Sequence, residues 1–221
     1  RAHALEAMGA AAPGAVEECA VGGGTGMVCN GFKGGIGTAS RRFDVDGRQY
    51  VLGVLVQCNY NWDGDDLRLG GRIVEPLLPA GEHCFTDRAI GRHNDWYPDC
   101  DSSKQATSSR ATRDGSIIVI VATDAPLLPH QLARVAKRPS LALGRLGAIS
   151  TAGSGDIFVA FSTANPGRID ESDFAEVAVY PNNALATVFT ATVHATEEAI
   201  VNAMAAADTM IGTSGFRVRE M

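Results

Sequence analysis

Gly115 and Ser116 set a backbone carbonyl that carries no shielding side chain beside a hydroxyl, at the entry to the apolar run Ile117–Ala122. A serine so placed can attack the preceding carbonyl and convert the peptide bond to an ester by an N-to-O shift. Hydrolysis of that ester then divides the chain. The cut makes Ser116 a new amino terminus. Because an α-amine titrates near pH ~8, it can take the proton from its own hydroxyl, so nucleophile and base reside in one residue. The ordinary alternative is a serine that only opens a strand, which is common turn chemistry.

Ser154 and Asp156 have a spacing that suits such a centre. Residues two apart on a strand share a face, so a hydroxyl and a carboxylate here would point together at one site. There they could hold the Ser116 amine and stabilise its ammonium form. Plain strand-entry chemistry is the other reading of the pair. Further patterns fail on inspection. GGGTG at residues 22–26 has no apolar strand before it, and the following GFK lacks the GK[ST] ending of a phosphate-binding loop. Its glycines read instead as tight turns and close backbone approach beside the active centre. Ser154 does not form a nucleophile elbow, because Ala152 stands where G-x-S-x-G needs its first glycine. No H-E-x-x-H is present, and His130 and His194 lie in helical text as ordinary surface or core histidines.

The elements that must position these residues alternate between strand and helix. Ala2–Ala11 reads as helix, and 27–41 and 49–59 as strands. In the second, YVLGVLV is the unbroken apolar run of a sheet covered on both faces. Gly70-Gly71 marks a hairpin turn. Ser116–Thr123 reads as a strand, Leu128–Leu146 as an amphipathic helix with Pro129 in its first turn, and Asp156–Thr163 as a strand. A long alanine-rich helix spans about Asn183–Met210, with Asn182 as its cap. Central strands between helices give an α/β class. No repeat or linker divides the 221 residues, so one domain is expected over 1–221, with self-cleavage into 1–115 and 116–221.

With 45% hydrophobic and 20% charged residues the chain can bury a sizeable core. A net charge of -6 without any Lys/Arg run argues against nucleic acid and anionic membrane surfaces, and favours a small neutral or cationic substrate. No apolar run reaches the ~18 residues of a bilayer span, and there is no basic-then-apolar leader. The chain opens abruptly at Arg1 and reads as a fragment or processed product, so its compartment, cytoplasmic or exported, stays open. Five cysteines cannot all pair with one another. Cys29 and Cys58, in apolar strand text, read as small buried hydrophobes. Cys84 and Cys100 could close a loop in an oxidising compartment. His83 and His93 lie close by, but the closely spaced ligand pairs of zinc sites are lacking, and neither a metal nor another cofactor is expected.

Four stretches, 22–41 (GGGTGMVCNGFKGGIGTASR), 53–59 (GVLVQCN), 114–134 (DGSIIVIVATDAPLLPHQLAR) and 153–165 (GSGDIFVAFSTAN), give the chain a specific likeness. Together with a weaker fifth, EEAIVNAM at 197–204, it resembles the self-cleaving serine aminopeptidases of the L-aminopeptidase/D-amidase-esterase (DmpA-type) and β-aminopeptidase family. Residues 82–113 fit that pattern poorly and read as an insertion. The resemblance implies a four-layer αββα sandwich of the N-terminal-nucleophile-hydrolase kind. It implies an acyl-enzyme route on short peptides, amides or esters, with Ser116 as nucleophile and Ser154 and Asp156 as its helpers. Many β-aminopeptidases have glutamate where this chain has Asp156. The resemblance also makes Asn59 the donor to the developing oxyanion; the plain alternative is an asparagine that closes a strand before Asn61 and Trp62. It further implies a homo-oligomer of αβ units.

In that family an acidic residue and a tyrosine upstream of the glycine-rich stretch bind the substrate amine, and no counterpart is found here. Glu17 and Glu18 are the nearest carboxylates by order, and at the end of a helix simple solvation is their ordinary role. Two rival functions remain: an amine acyltransferase of related autoprocessing fold, and an uncleaved, non-catalytic binding module.

Overall fold

Alternation at every second residue builds the central sheet. The computed structural model describes residues 1–61, 66–74, 83–87, 97, 99–101, 115–167, 174 and 176–221. In chain order its elements are α1 (Ala2–Gly9), β1 (Val28–Cys29), β2 (Phe32–Lys33), β3 (Ile36–Val45), β4 (Arg48–Asn59), β5 (Arg68–Leu69), β6 (Arg72–Ile73), β7 (Cys84–Phe85) and β8 (Ser116–Thr123). There follow α2 (Pro129–Val135), α3 (Pro139–Arg145), β9 (Ile157–Ser162), α4 (Leu185–Ala205), β10 (Met210–Ile211) and β11 (Phe216–Val218). The main sheet has the order β3-β4-β8-β9, antiparallel except for the parallel pair β8/β9.

One face of this sheet is dry. Leu52, Val54, Val56 and Cys58 of β4 and Ile117, Val119 and Val121 of β8 are buried in one core, with α4 packed on β3 and β4, and each larger apolar side chain so covered contributes about 1.5–3 kcal/mol. The helix closes tightly because its inward stripe is small. Ala195, Ala199 and Ala203 are fully buried, and a Cβ on Gly37 of β3 would lie 2.0 Å from the Ala199 carbonyl oxygen. Buried Thr192 and Thr196 donate back to the carbonyls of Val188 and Thr192 at 2.8 and 2.7 Å, so the core holds no orphaned hydroxyl there.

The opposite face departs from the two-sided burial expected of YVLGVLV. Val51, Ile157, Val159 and Phe161 are 41, 52, 46 and 44% exposed. Other expectations shift for local reasons. The strand expected over 27–41 is a tight hairpin followed by β3, because Asn30 and Gly31 take φ of 48° and 75° and reverse the chain. Gly70-Gly71, with φ of 59° and 80°, turns the β5–β6 hairpin as expected. The helix expected over 128–146 is two helices, since Pro139 supplies no N–H to continue the first and begins the second. Asn182 does not cap α4; its Oδ1 accepts from buried Gln131 Nε2 at 2.9 Å, and α4 ends at Ala205.

The β1–β2 hairpin lies beside the end of β4, and this joins Cys29 to Cys58 in a disulfide with Cα atoms 5.5 Å apart. The two are buried as expected but not as free thiols. Cys84 and Cys100 form a second bridge, Cα to Cα 4.9 Å, and buried Cys19 is free. Alkylation of the unreduced, denatured protein followed by mass spectrometry should therefore label Cys19 alone; label on Cys29 and Cys58 would remove their bridge.

His93, Asp114 and most of the 82–113 segment lie outside the described residues. Among the described residues no group of three His, Cys, Asp or Glu could hold a metal, and no helix is long and apolar enough to cross a membrane.

Candidate active site

Ser116 is the first residue of β8 and pairs in register with Asn59, the last residue of β4. Residues directly opposite in an antiparallel pair share a face, so the hydroxyl and the amide stand side by side. The segment entering β9 closes over them: the N–H of Gly155 donates to Ser116 Oγ at 2.9 Å. Asp156 Oδ1 accepts from Ser154 Oγ at 2.6 Å and from the N–H of Ile117 at 3.2 Å, and its Oδ2 accepts from Ser150 Oγ at 3.1 Å. The carboxylate is thus fixed one peptide unit from the amide that would become the Ser116 amine.

Ser154 and Asp156 meet as the spacing suggested, though not on a strand. Both precede β9: Ser154 closes a turn by donating its N–H to the Thr151 carbonyl at 2.9 Å, and Asp156 follows in irregular chain. Gly115 is needed for a reason beyond access to its carbonyl. A Cβ there would lie 2.5 Å from the Asn59 carbonyl oxygen and 2.6 Å from Tyr60 Cα, so only glycine lets the chain pass this close to the end of β4.

Asn59 Oδ1 accepts from the N–H of Val28 at 3.1 Å. A backbone N–H can only donate, so this contact fixes the amide's orientation and leaves Nδ2 as the donor. The pocket beside Gly115, Ser154 and Asp156 is walled by Tyr60, Asp66 and Ile149. Burial pushes the Tyr60 phenol far above its ordinary range; the hydrogen bond from Asn30 Nδ2 at 3.2 Å opposes this, and the charge of Asp156 adds to it. Tyr60 is therefore a protonated wall and not a base.

Sequence reasoning missed the contributions of Gly155, Val28 and Ser150. The first two act through backbone N–H groups, which leave no trace in residue type. Glu18 is not loosely solvated: its Oε1 accepts from Thr38 N–H at 2.7 Å and from Thr38 Oγ1 at 2.6 Å, tying the N-terminal segment to β3. His130 and His194 are exposed on α2 and α4.

The family model described as Peptidase family S58 matches residues 1–218. The chain is 45% identical over 223 residues to the β-peptidyl aminopeptidase BapA of Sphingosinicella microcystinivorans, covering 99% of this chain and 52% of that protein. It is similar to the solved L-aminopeptidase D-Ala-esterase/amidase of Ochrobactrum anthropi, with TM-score 0.79 and 39% identity over 100% of this chain and 54% of that one. It is also similar to a Burkholderia sp. β-aminopeptidase, with TM-score 0.74 and 38% identity over 99% of this chain and 55% of that one. The chain thus spans about half the length of the relatives it matches. Its fold matches part of the variant of the Ntn-hydrolase fold that the Ochrobactrum structure represents. The described residues supply a helical layer and the sheet beneath it.

Proposed function

Since this chain belongs to peptidase family S58, we propose that it carries the self-processing centre of an N-terminal-serine aminopeptidase acting on short peptides, amides or esters. The Ser116 hydroxyl attacks the Gly115 carbonyl, the peptide nitrogen leaves as the free amine of Ser116, and water releases the Gly115 carboxylate. In turnover that amine takes the hydroxyl proton as Oγ attacks the substrate carbonyl. The ammonium so formed protonates the departing amine, and water then hydrolyses the acyl ester by the same proton path. Asn59 Nδ2 donates to the oxyanion in both halves, while Ser154 and Asp156 hold the Ser116 amine. A relative named as a β-peptidyl aminopeptidase at 45% identity favours peptides with an amino-terminal β-residue among the substrates.

The observation that supports this reading is the meeting of Asn59, Ser116, Ser154 and Asp156, from three separate stretches, at one end of β4, β8 and β9. The full-length gene product should give two bands on a denaturing gel, the smaller beginning Ser-Ile-Ile-Val by amino-terminal sequencing. A single uncut chain that still hydrolyses an aminoacyl p-nitroanilide would refute the proposal. Release of the acyl group onto an added amine in preference to water would turn the reading to acyl transfer.

A further inference from the structure

Lys33 is only 2% exposed, and no step above uses it. Its Nζ donates to three backbone carbonyls, those of Gly24 at 3.2 Å, Met27 at 3.1 Å and Gly34 at 2.5 Å. Three donated bonds from one nitrogen require the ammonium, since a neutral amine has only two N–H groups. Among the described residues no carboxylate pairs with it. Burial lowers its pKa, opposed by the charge interaction with Cys19, while the three accepting carbonyls favour the ammonium form at this place. Such a group is costly unless its hydrogen bonds are well made.

The Met27 carbonyl and the Val28 N–H belong to one planar trans peptide and point in opposite directions. That N–H is the donor to Asn59 Oδ1. We propose that Lys33 is a positioning residue for the oxyanion donor: its ammonium holds and polarises the Met27–Val28 peptide, whose N–H holds and polarises the Asn59 amide, whose Nδ2 meets the developing charge. Chains of hydrogen bonds strengthen one another in a low-dielectric interior, so a cation at one end makes the last N–H a better donor. The Cys29–Cys58 bridge starts one residue after Val28 and ends one before Asn59, and so keeps the two halves of this relay in register. Val28 is free for this task because the β1–β2 ladder bonds Met27 and Gly34, the latter donating to the former at 3.1 Å.

The proposal rests on the reading of Asn59 as oxyanion donor. In the full-length gene product, Lys33→Met should lower kcat for an aminoacyl p-nitroanilide about tenfold while KM stays within about twofold, since the interaction lost is made in the transition state. Added to Asn59→Ala, the same substitution should change kcat by less than about twofold, because the relay then ends on nothing. An undiminished Lys33→Met effect in the Asn59→Ala background overturns the relay and leaves the aminopeptidase reading standing. Turnover that survives Ser116→Ala overturns that reading and the relay with it. If Lys33→Met yields no folded protein, Lys33→Gln, which keeps donors but no charge, enters the same cycle with the same outcomes.

Discussion

Ser116→Ala in the full-length gene product is expected to remain one uncut chain and to show no measurable turnover of an aminoacyl p-nitroanilide. Both losses come from one atom. Without Oγ the Gly115 carbonyl has no neighbouring nucleophile, so the ester that precedes the cut cannot form. Without the cut there is no α-amine at residue 116 to act as base. The fold should survive, because Ser116 only begins β8, while the buried positions of that strand are Ile117, Val119, Val121 and Thr123. Circular dichroism of the variant should match that of the processed parent. Cleavage between Gly115 and Ala in this variant would mean that an external protease makes the cut, and self-processing would fall.

Asp156→Asn should reduce kcat by about 10²–10³-fold, in the range lost when a group that positions a catalytic proton carrier is removed. The carboxylate accepts from Ser154, Ser150 and the Ile117 N–H. Asparagine keeps the size and one acceptor oxygen, so most of the local packing persists while the charge is lost. The sign of the pH effect separates this role from a structural one. A nearby carboxylate favours the ammonium form of the Ser116 amine, and its removal makes the amine easier to deprotonate. The rising limb of the kcat/KM profile should therefore move to lower pH in Asp156→Asn, even though its plateau falls. A lowered plateau with an unmoved limb would make Asp156 a fold residue only. Ser154→Ala, which removes one hydrogen bond to the carboxylate, should show a smaller loss with the same direction of shift.

Much of the scaffold was legible because its signals are local. The run from Ser116 to Thr123 is a short, unbroken β-branched apolar stretch and becomes β8 without change. β4 starts one residue earlier than its apolar text suggests. Pro139 carries its own message, yet the amphipathic period runs straight through it, and periodicity alone joined α2 to α3. What stayed hidden depends on proximity across the sheet. Cys29 and Cys58 sit in strand-like text that suits buried thiols, and only the turn at Asn30-Gly31 brings them together. Ser154 and Asp156 were found as a pair for a reason that does not hold, strand alternation; both lie in turn and irregular chain before β9. The donors from Gly155 and Val28 are peptide groups, present at almost every residue, and nothing in residue identity marks the two that matter.

The side-by-side placement of β4 and β8 governs what kind of object exists once the Gly115–Ser116 bond is broken. All five cysteines precede the break, so neither bridge crosses it. Among the described residues the pieces adhere through the ladder from Leu52↔Thr123 to Asn59↔Ser116, through β11 of the second piece pairing with β7 of the first, and through α4, which belongs to the second piece, lying on β3 and β4 of the first. Each piece alone has half an interior. Before the break, assembly is a first-order event within one molecule; afterwards, recovery from denaturant needs two molecules to find each other and slows with dilution. Processing would thus turn assembly from a step within one molecule into a meeting of two, whose yield depends on concentration.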